Sequence, residues 1–198
     1  MTRTRTIAAL TSAVALAVPG VASAAKVTGG TTQITASTAA AKVLSDNHIT
    51  VTPLAPATAS GTTFTFPIAG GSLNKSLHGF ITHKGGISLT NGSKTVNVRK
   101  PTIVSTKRGV SIDALVKRPA VRVCHVLRHP RRVRCVSVAR FRIVRIARVT
   151  DVKVSNGTAT GTVHITAATA GLVNLLAGKH VVDAGAVLGT ATTTPTFK

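Results

Sequence analysis

Apolar residues recur at alternate positions along most of the chain, separated by short clusters of Gly, Pro, Asn and Ser. A period of two is the mark of strands with one buried face. The segment "ASGTTFTFPIAGG" (59–71) alternates Phe64 and Phe66 with Thr, then meets Pro67 and a glycine pair. The segment "LHGFITHKGGISLTNGSKTVNV" (77–98) predicts a strand to His83, a turn at Gly85-Gly86, a strand over 87–90 and a return strand over 94–98. Asn91-Gly92 is a type I′ hairpin signal, and Asn156-Gly157 is a second. Pro53, Pro56, Pro101 and Pro119 are expected at strand ends or edges.

Two stretches break this period. "ITASTAAAKVLSDN" (34–47) and "ITAATAGLVNLLAG" (165–178) share Ile-Thr-Ala-x-Thr-Ala, with Leu44 and Leu175 at the same later offset. Each predicts a strand running into a short Thr-capped helix, with Gly178 closing the second. The match is too short, in an Ala- and Thr-rich chain, to mark a duplication. The expected fold is mainly β, an antiparallel sandwich-like domain over 25–198 with one or two short helices.

The alternation is most heavily charged at 117–148, where eleven residues are Lys or Arg. A hairpin centred on His129-Pro130 places Arg128 opposite Arg131, Leu127 opposite Arg132 and Cys124 opposite Cys135. The two cysteines are then near enough for a disulfide, which would close a short loop and stabilise by roughly 2–3 kcal/mol. Beyond the hairpin, Arg140, Arg142 and Arg148 share one face with Val144 and Ile146. Ala139, Phe141, Ile143, Ala147 and Val149 share the other, interrupted by Arg145, and this is the expected core face.

Charge and the N-terminus set the compartment. "MTRTRT", the apolar run "IAALTSAVALAV", Pro19-Gly20 and "ASA" at 22–24 read as an export signal, with residues 1–24 removed. The run is too short to span a bilayer, so the mature chain is expected to be soluble and secreted or surface-associated, with no transmembrane segment. An oxidising compartment favours the Cys124–Cys135 bond. Formal net charge is +21, there is no Glu, Tyr or Trp, and the only acids are Asp46, Asp113, Asp151 and Asp183. Such a surface attracts polyanions. Outside the cell these are anionic wall polymers, lipid headgroups or extracellular DNA, met by Arg128, Arg131, Arg132, Arg134, Arg140 and Arg142. Sequence-specific nucleic-acid binding is disfavoured by the export signal and the scarcity of stacking aromatics.

Enzymatic chemistry finds no foothold. No carboxylate pair and no G-x-S-x-G elbow is present, so no catalytic residue is assigned. Cys124, His125, His129 and Cys135 lack structural-zinc spacing and sit among arginines, so no metal site is assigned.

Three stretches, 54–73, 77–104 and 157–192, together resemble the haem-transport-associated domain of the HtaA type. The resemblance rests on Gly79, His83, Gly85 or Gly86, Ile87 and Pro101, then on a helix from Thr166 to Leu176, Gly185 and a final strand over 186–193. It implies a mainly β fold and haem held by an axial Tyr supported by a His. His83 matches that His, while this chain has no Tyr, and His180 after the second helix is the substitute candidate. The basic hairpin has no matching motif in the family. The resulting expectation is a secreted, non-enzymatic binding protein for haem or porphyrin at the cell surface. The alternative is a structural or adhesive envelope protein held to anionic wall polymers by its basic face.

Overall fold

The structure is a computed structural model that describes residues 24–117, 121–127, 132–138 and 141–198. The expected leader falls outside them except for Ala24, as do Arg128, Arg131 and Arg140. From 118 to 140 only the backbone of two strands is described.

The chain begins with β1 (Ala25–Ala36), α1 (Thr38–Asp46), β2 (Thr50–Leu54), β3 (Thr58–Ser60), β4 (Thr63–Leu73) and β5 (Gly79–His83). Then come β6 (Gly86–Asn91), β7 (Lys94–Thr106), β8 (Gly109–Lys117), β9 (Val121–Leu127) and β10 (Arg132–Val138). It ends with β11 (Phe141–Ser155), β12 (Thr158–Ile165), α2 (Ala167–Ala177) and β13 (Val187–Phe197).

The antiparallel β expectation holds, but the sheet is not a sandwich. Strands β7, β5, β4, β1, β13, β12, β11 and β8 pair in that order, and β8 returns to β7, closing an eight-stranded barrel. Closure removes the open edges that a sandwich would have to protect. It depends on β1 pairing with β13 at the far end of the chain, a contact that no local pattern encodes. Strands β6 and β2 extend from the first half of β7, and β3 flanks β4. Pro53 lies on β2, an edge strand, where its missing N–H costs nothing.

The threonines have a place in this wall. Thr63, Thr35, Thr190, Thr162 and Thr150 stand side by side across five neighbouring strands, on the outside. β-Branched side chains suit such cross-strand rows, and Thr35 Oγ1 lies 2.9 Å from Thr63 Oγ1.

Two of the sheet's bulges reset the alternation next to the site. In β7, Lys100 and Pro101 break the register between Arg99↔Leu115 and Thr102↔Asp113. Pro101 is therefore mid-strand and buried, not at a strand end, and the bulge makes its missing N–H tolerable. In β11, the register shifts between Arg145↔Asp113 and Ala147↔Ile112. Val144 and Ile146 point inward up to this bulge, and Ala147 and Val149 after it. Val144 and Ile146 thus join the core, while Phe141 is 52% and Ile143 79% exposed. Over 141–145 the expected apolar core face is inverted, while Ala139 lies outside the described residues. The cause is tertiary: Thr166 Oγ1 donates to the Arg145 carbonyl at 2.7 Å and Thr169 Oγ1 to the Ile146 carbonyl at 2.6 Å. Carbonyls freed by the bulge are satisfied by hydroxyls at the start of α2.

The two Asn-Gly signals part ways. At Asn156-Gly157 both residues have positive φ and Ser155 pairs with Thr158, the type I′ arrangement. At Asn91, the hairpin slips by one residue: Asn91 pairs with Lys94, and Gly92 takes positive φ where Ser93 does not. That is the type II′ pattern, and Asn91 Nδ2 instead donates to the Asn47 carbonyl at 2.8 Å.

A candidate ligand cavity and its buried histidine

α1 and α2 each leave a barrel strand at the same end of the wall. Ser37 caps α1, accepting from the Ala40 N–H at 3.1 Å, so the expected Thr cap is a Ser here. Thr166 caps α2, and Gly178 closes it in the left-handed conformation at φ +72, as expected. α2 buries Ala170, Leu172, Val173 and Leu176, the last three in one cluster with Val96, Val98, Ala114 and Val116. α1 buries no residue.

Between the helices and the barrel lies a cavity of about 460 Å³. Phe66, Ile112 and Val163 line its barrel side, Val43 and Leu44 its α1 side, and Leu172 its α2 side. The volume falls within the ordinary range of small-molecule sites. Of the lining residues, Ala39 and Val187 are exposed, at the junction of α1 with β13. Among the described lining residues the side-chain polar atoms are the hydroxyls of Ser37 and Thr169, both already engaged. A second, smaller apolar cavity of about 150 Å³ occupies the other end of the barrel, lined by Leu73, Ile103 and Phe197.

His83 ends β5 where β7 bulges, and it is 3% exposed. Gly79 begins the same strand at φ +146, where a Cβ would collide with the Ser72 carbonyl, so the Gly of the expected motif is a steric requirement. The His83 Nδ1 lies 2.8 Å from the Pro101 carbonyl, which can only accept, so Nδ1 carries the proton. Nε2 then accepts from the Thr32 hydroxyl at 2.7 Å, and Thr32 Oγ1 accepts from Thr193 Oγ1 at 3.0 Å. Pro101 lines the larger cavity and Thr193 the smaller. The relay thus bridges the walls of the two cavities. Burial pushes the His83 imidazole below its ordinary pKa, with the Pro101 hydrogen bond opposing, which keeps the ring neutral.

The expected ligand pair is not assembled. His180 is exposed after α2, with Nε2 3.1 Å from Asp183 Oδ1 and Nδ1 3.3 Å from Asn174 Nδ2. Neither histidine lines either cavity. His83 does support a hydroxyl, but the hydroxyl is that of Thr32. Thr32 and Thr193 were missed in the sequence because Thr reads as outward-facing. Their only signal was parity, since Thr32 shares a face with Ile34 and Thr193 with Ala191. The fit to haem is therefore divided: volume and polarity suit an apolar ring, while no described lining residue offers iron a free ligand.

Of the basic residues, Arg142 is exposed on β11, and Arg132 and Arg134 lie on β10, their side chains outside the described set. β9 and β10 pair with Leu127 opposite Arg132 and Cys124 opposite Cys135, the expected register. Among the described residues no helix is long and apolar enough to cross a membrane, and no His, Cys, Asp and Glu cluster has metal-site geometry.

No family model and no curated protein sequence matches the chain. Solved structures do. The C-terminal domain of HtaA from Corynebacterium glutamicum superposes with a TM-score of 0.60 at 14% identity, covering 88% of this chain and 99% of that one. The haem-binding protein HtaB from Corynebacterium glutamicum superposes with a TM-score of 0.53 at 16% identity, covering 88% and 95%. At such identity the likeness lies in the path of the backbone, and it spans nearly the whole of each partner. The chain has the fold of the HtaA-type domain.

Proposed function

We propose that this chain is an exported, non-enzymatic binding protein whose larger cavity holds an apolar ring-shaped ligand of the porphyrin class, haem included. The observation that carries the reading is the cavity of about 460 Å³, lined almost wholly by apolar side chains and covered by a helix with no buried residue. A helix as short as α1 is marginal without tertiary burial, and a ligand beneath it would supply that burial. HtaB, which shares the fold, is a haem-binding protein. The surplus of Lys and Arg on the chain offers counter-charges to any propionate that reaches the surface. Affinity here rests on ring contact, with His83 behind the wall, so iron adds little.

Titration of the protein with haemin and with metal-free protoporphyrin tests this. Both should bind, and Ala40→Phe, which fills the cavity from α1, should weaken both by about tenfold or more. Failure of both to bind, or binding untouched by Ala40→Phe, overturns the reading. Haemin binding that His83→Ala abolishes, with protoporphyrin binding retained, would return the iron to His83. We also take Cys124 and Cys135 to be bonded, since their Cα positions are paired. Alkylation of the unreduced protein should label neither.

A further inference from the structure

The bulge in β11 has a second consequence, on the outer wall of the barrel. It turns Phe141 and Ile143 outward, where Phe141 stands opposite Lys117 and Ile143 opposite Leu115. On the other side of β8, Arg99 stands opposite Leu115. The outward face of β7, β8 and β11 is therefore an apolar centre of Leu115, Phe141 and Ile143, rimmed by Arg99, Lys117 and Arg145. Ile143 is 79% exposed, more than any other large apolar side chain among the described residues. The Lys117 ammonium sits 5.6 Å above the Phe141 ring. Arg145 is held by Asp113 at 3.3 Å, and among the described residues Arg99 and Lys117 have no acidic partner.

A strand face of this kind is unusual on a chain of net charge +21. Charge alone would suit a soluble polyanion, but Phe141 and Ile143 would gain nothing from one. An anionic lipid surface satisfies both halves. Apolar side chains enter the headgroup boundary, and the flanking Lys and Arg extend their stems toward phosphates. Each nearby cation adds to the attraction. We infer that this face of β7, β8 and β11 docks on an anionic bilayer surface, with Phe141 and Ile143 inserted and Arg99 and Lys117 on the headgroup phosphates. The site is separate from the cavity, and it stands whether or not a porphyrin binds there.

Co-sedimentation of the full chain with phosphatidylglycerol-containing vesicles, against vesicles of phosphatidylcholine alone, tests the inference. Binding is expected to the anionic vesicles and should weaken with salt. Phe141→Ser with Ile143→Ser should lower it by about tenfold or more, because two apolar side chains no longer leave water. Arg99→Gln with Lys117→Gln should reduce the salt dependence. Arg99, Phe141 and Ile143 are exposed and Lys117 half-buried, and circular dichroism checks that each variant keeps the fold. Absence of vesicle binding overturns the inference. So does full binding by the Phe141/Ile143 double variant, which would assign the interaction to the basic hairpin alone. Equal binding to a soluble phosphate polymer, unaffected by that variant, would make the surface a polyanion site. Concentration-dependent dimerisation lost in the variant would make it an interface between two copies.

Discussion

The two helices start from the same six-residue pattern and end in opposite roles. After Ile165 the strand stops at once, and Thr166 caps α2 and ties it to the β11 bulge. After Ile34 the strand runs on to Ala36, Thr35 stays in the outer threonine row, and Ser37 becomes the cap. α2 then buries four side chains in the core, and α1 buries none. Even the shared leucine differs. Leu175 is 48% exposed, whereas Leu44 is half-buried against the core. One motif thus yields a structural anchor and a cavity wall. The strand partners decide which, by setting where each strand ends.

The sharpest break of this contrast is packing. Leu176 is 2% exposed on α2, and Leu176→Ala should cost about 2–5 kcal/mol in urea unfolding. The caps come next. Thr166→Ala removes the cap and strands the Arg145 carbonyl, at about 1–2 kcal/mol, whereas Ser37→Ala should cost about 1 kcal/mol or less. Equal costs for the two caps would mean that α2 is no better anchored than α1.

The relay behind the cavity wall adds a pH signature. His83 has a lowered folded pKa, so the unfolded chain takes the proton first. Stability should be full above the unfolded value of 6.5 and fall as pH drops below it. His83→Gln should flatten that slope in thermal melts followed at several pH values. A slope unchanged by the substitution would assign it to other groups. Smallest in stability is Val43→Ala on α1, less than about 1 kcal/mol because the side chain is only half-buried. Its effect should appear in porphyrin affinity. If Val43→Ala destabilises the protein as much as Leu176→Ala, α1 is an anchor like α2 and the contrast fails.

Much of the local structure was legible. The Asn156-Gly157 turn, the α2 cap and its closing Gly178, the strand ending at His83 and the Leu127–Arg132 register all follow from residue type and spacing. The bulges were not. A bulge at Ile146 is stable only because Thr166 and Thr169, far along the chain, supply donors to the freed carbonyls. The alternation over 141–149 was correctly seen as two faces, but over 141–145 the wrong one was placed inside. Asn91 was read as a turn residue, yet its side chain found the Asn47 carbonyl and the turn moved on by one.

By itself, the sequence determined that the chain is β-rich, where many of its turns lie, that two strands run into helices, and that its surface is strongly basic. These depend on near neighbours, where side-chain sterics and φ preferences act within a few residues. Only the tertiary structure decided that the sheet closes, that His83 faces Thr32 and the Pro101 carbonyl, and that Phe141 and Ile143 face outward. Those outcomes depend on which distant donors and acceptors meet when the first strand pairs with the last. A period of two specifies that a strand has two faces, and the bulges and the closure of the barrel choose which one is inside.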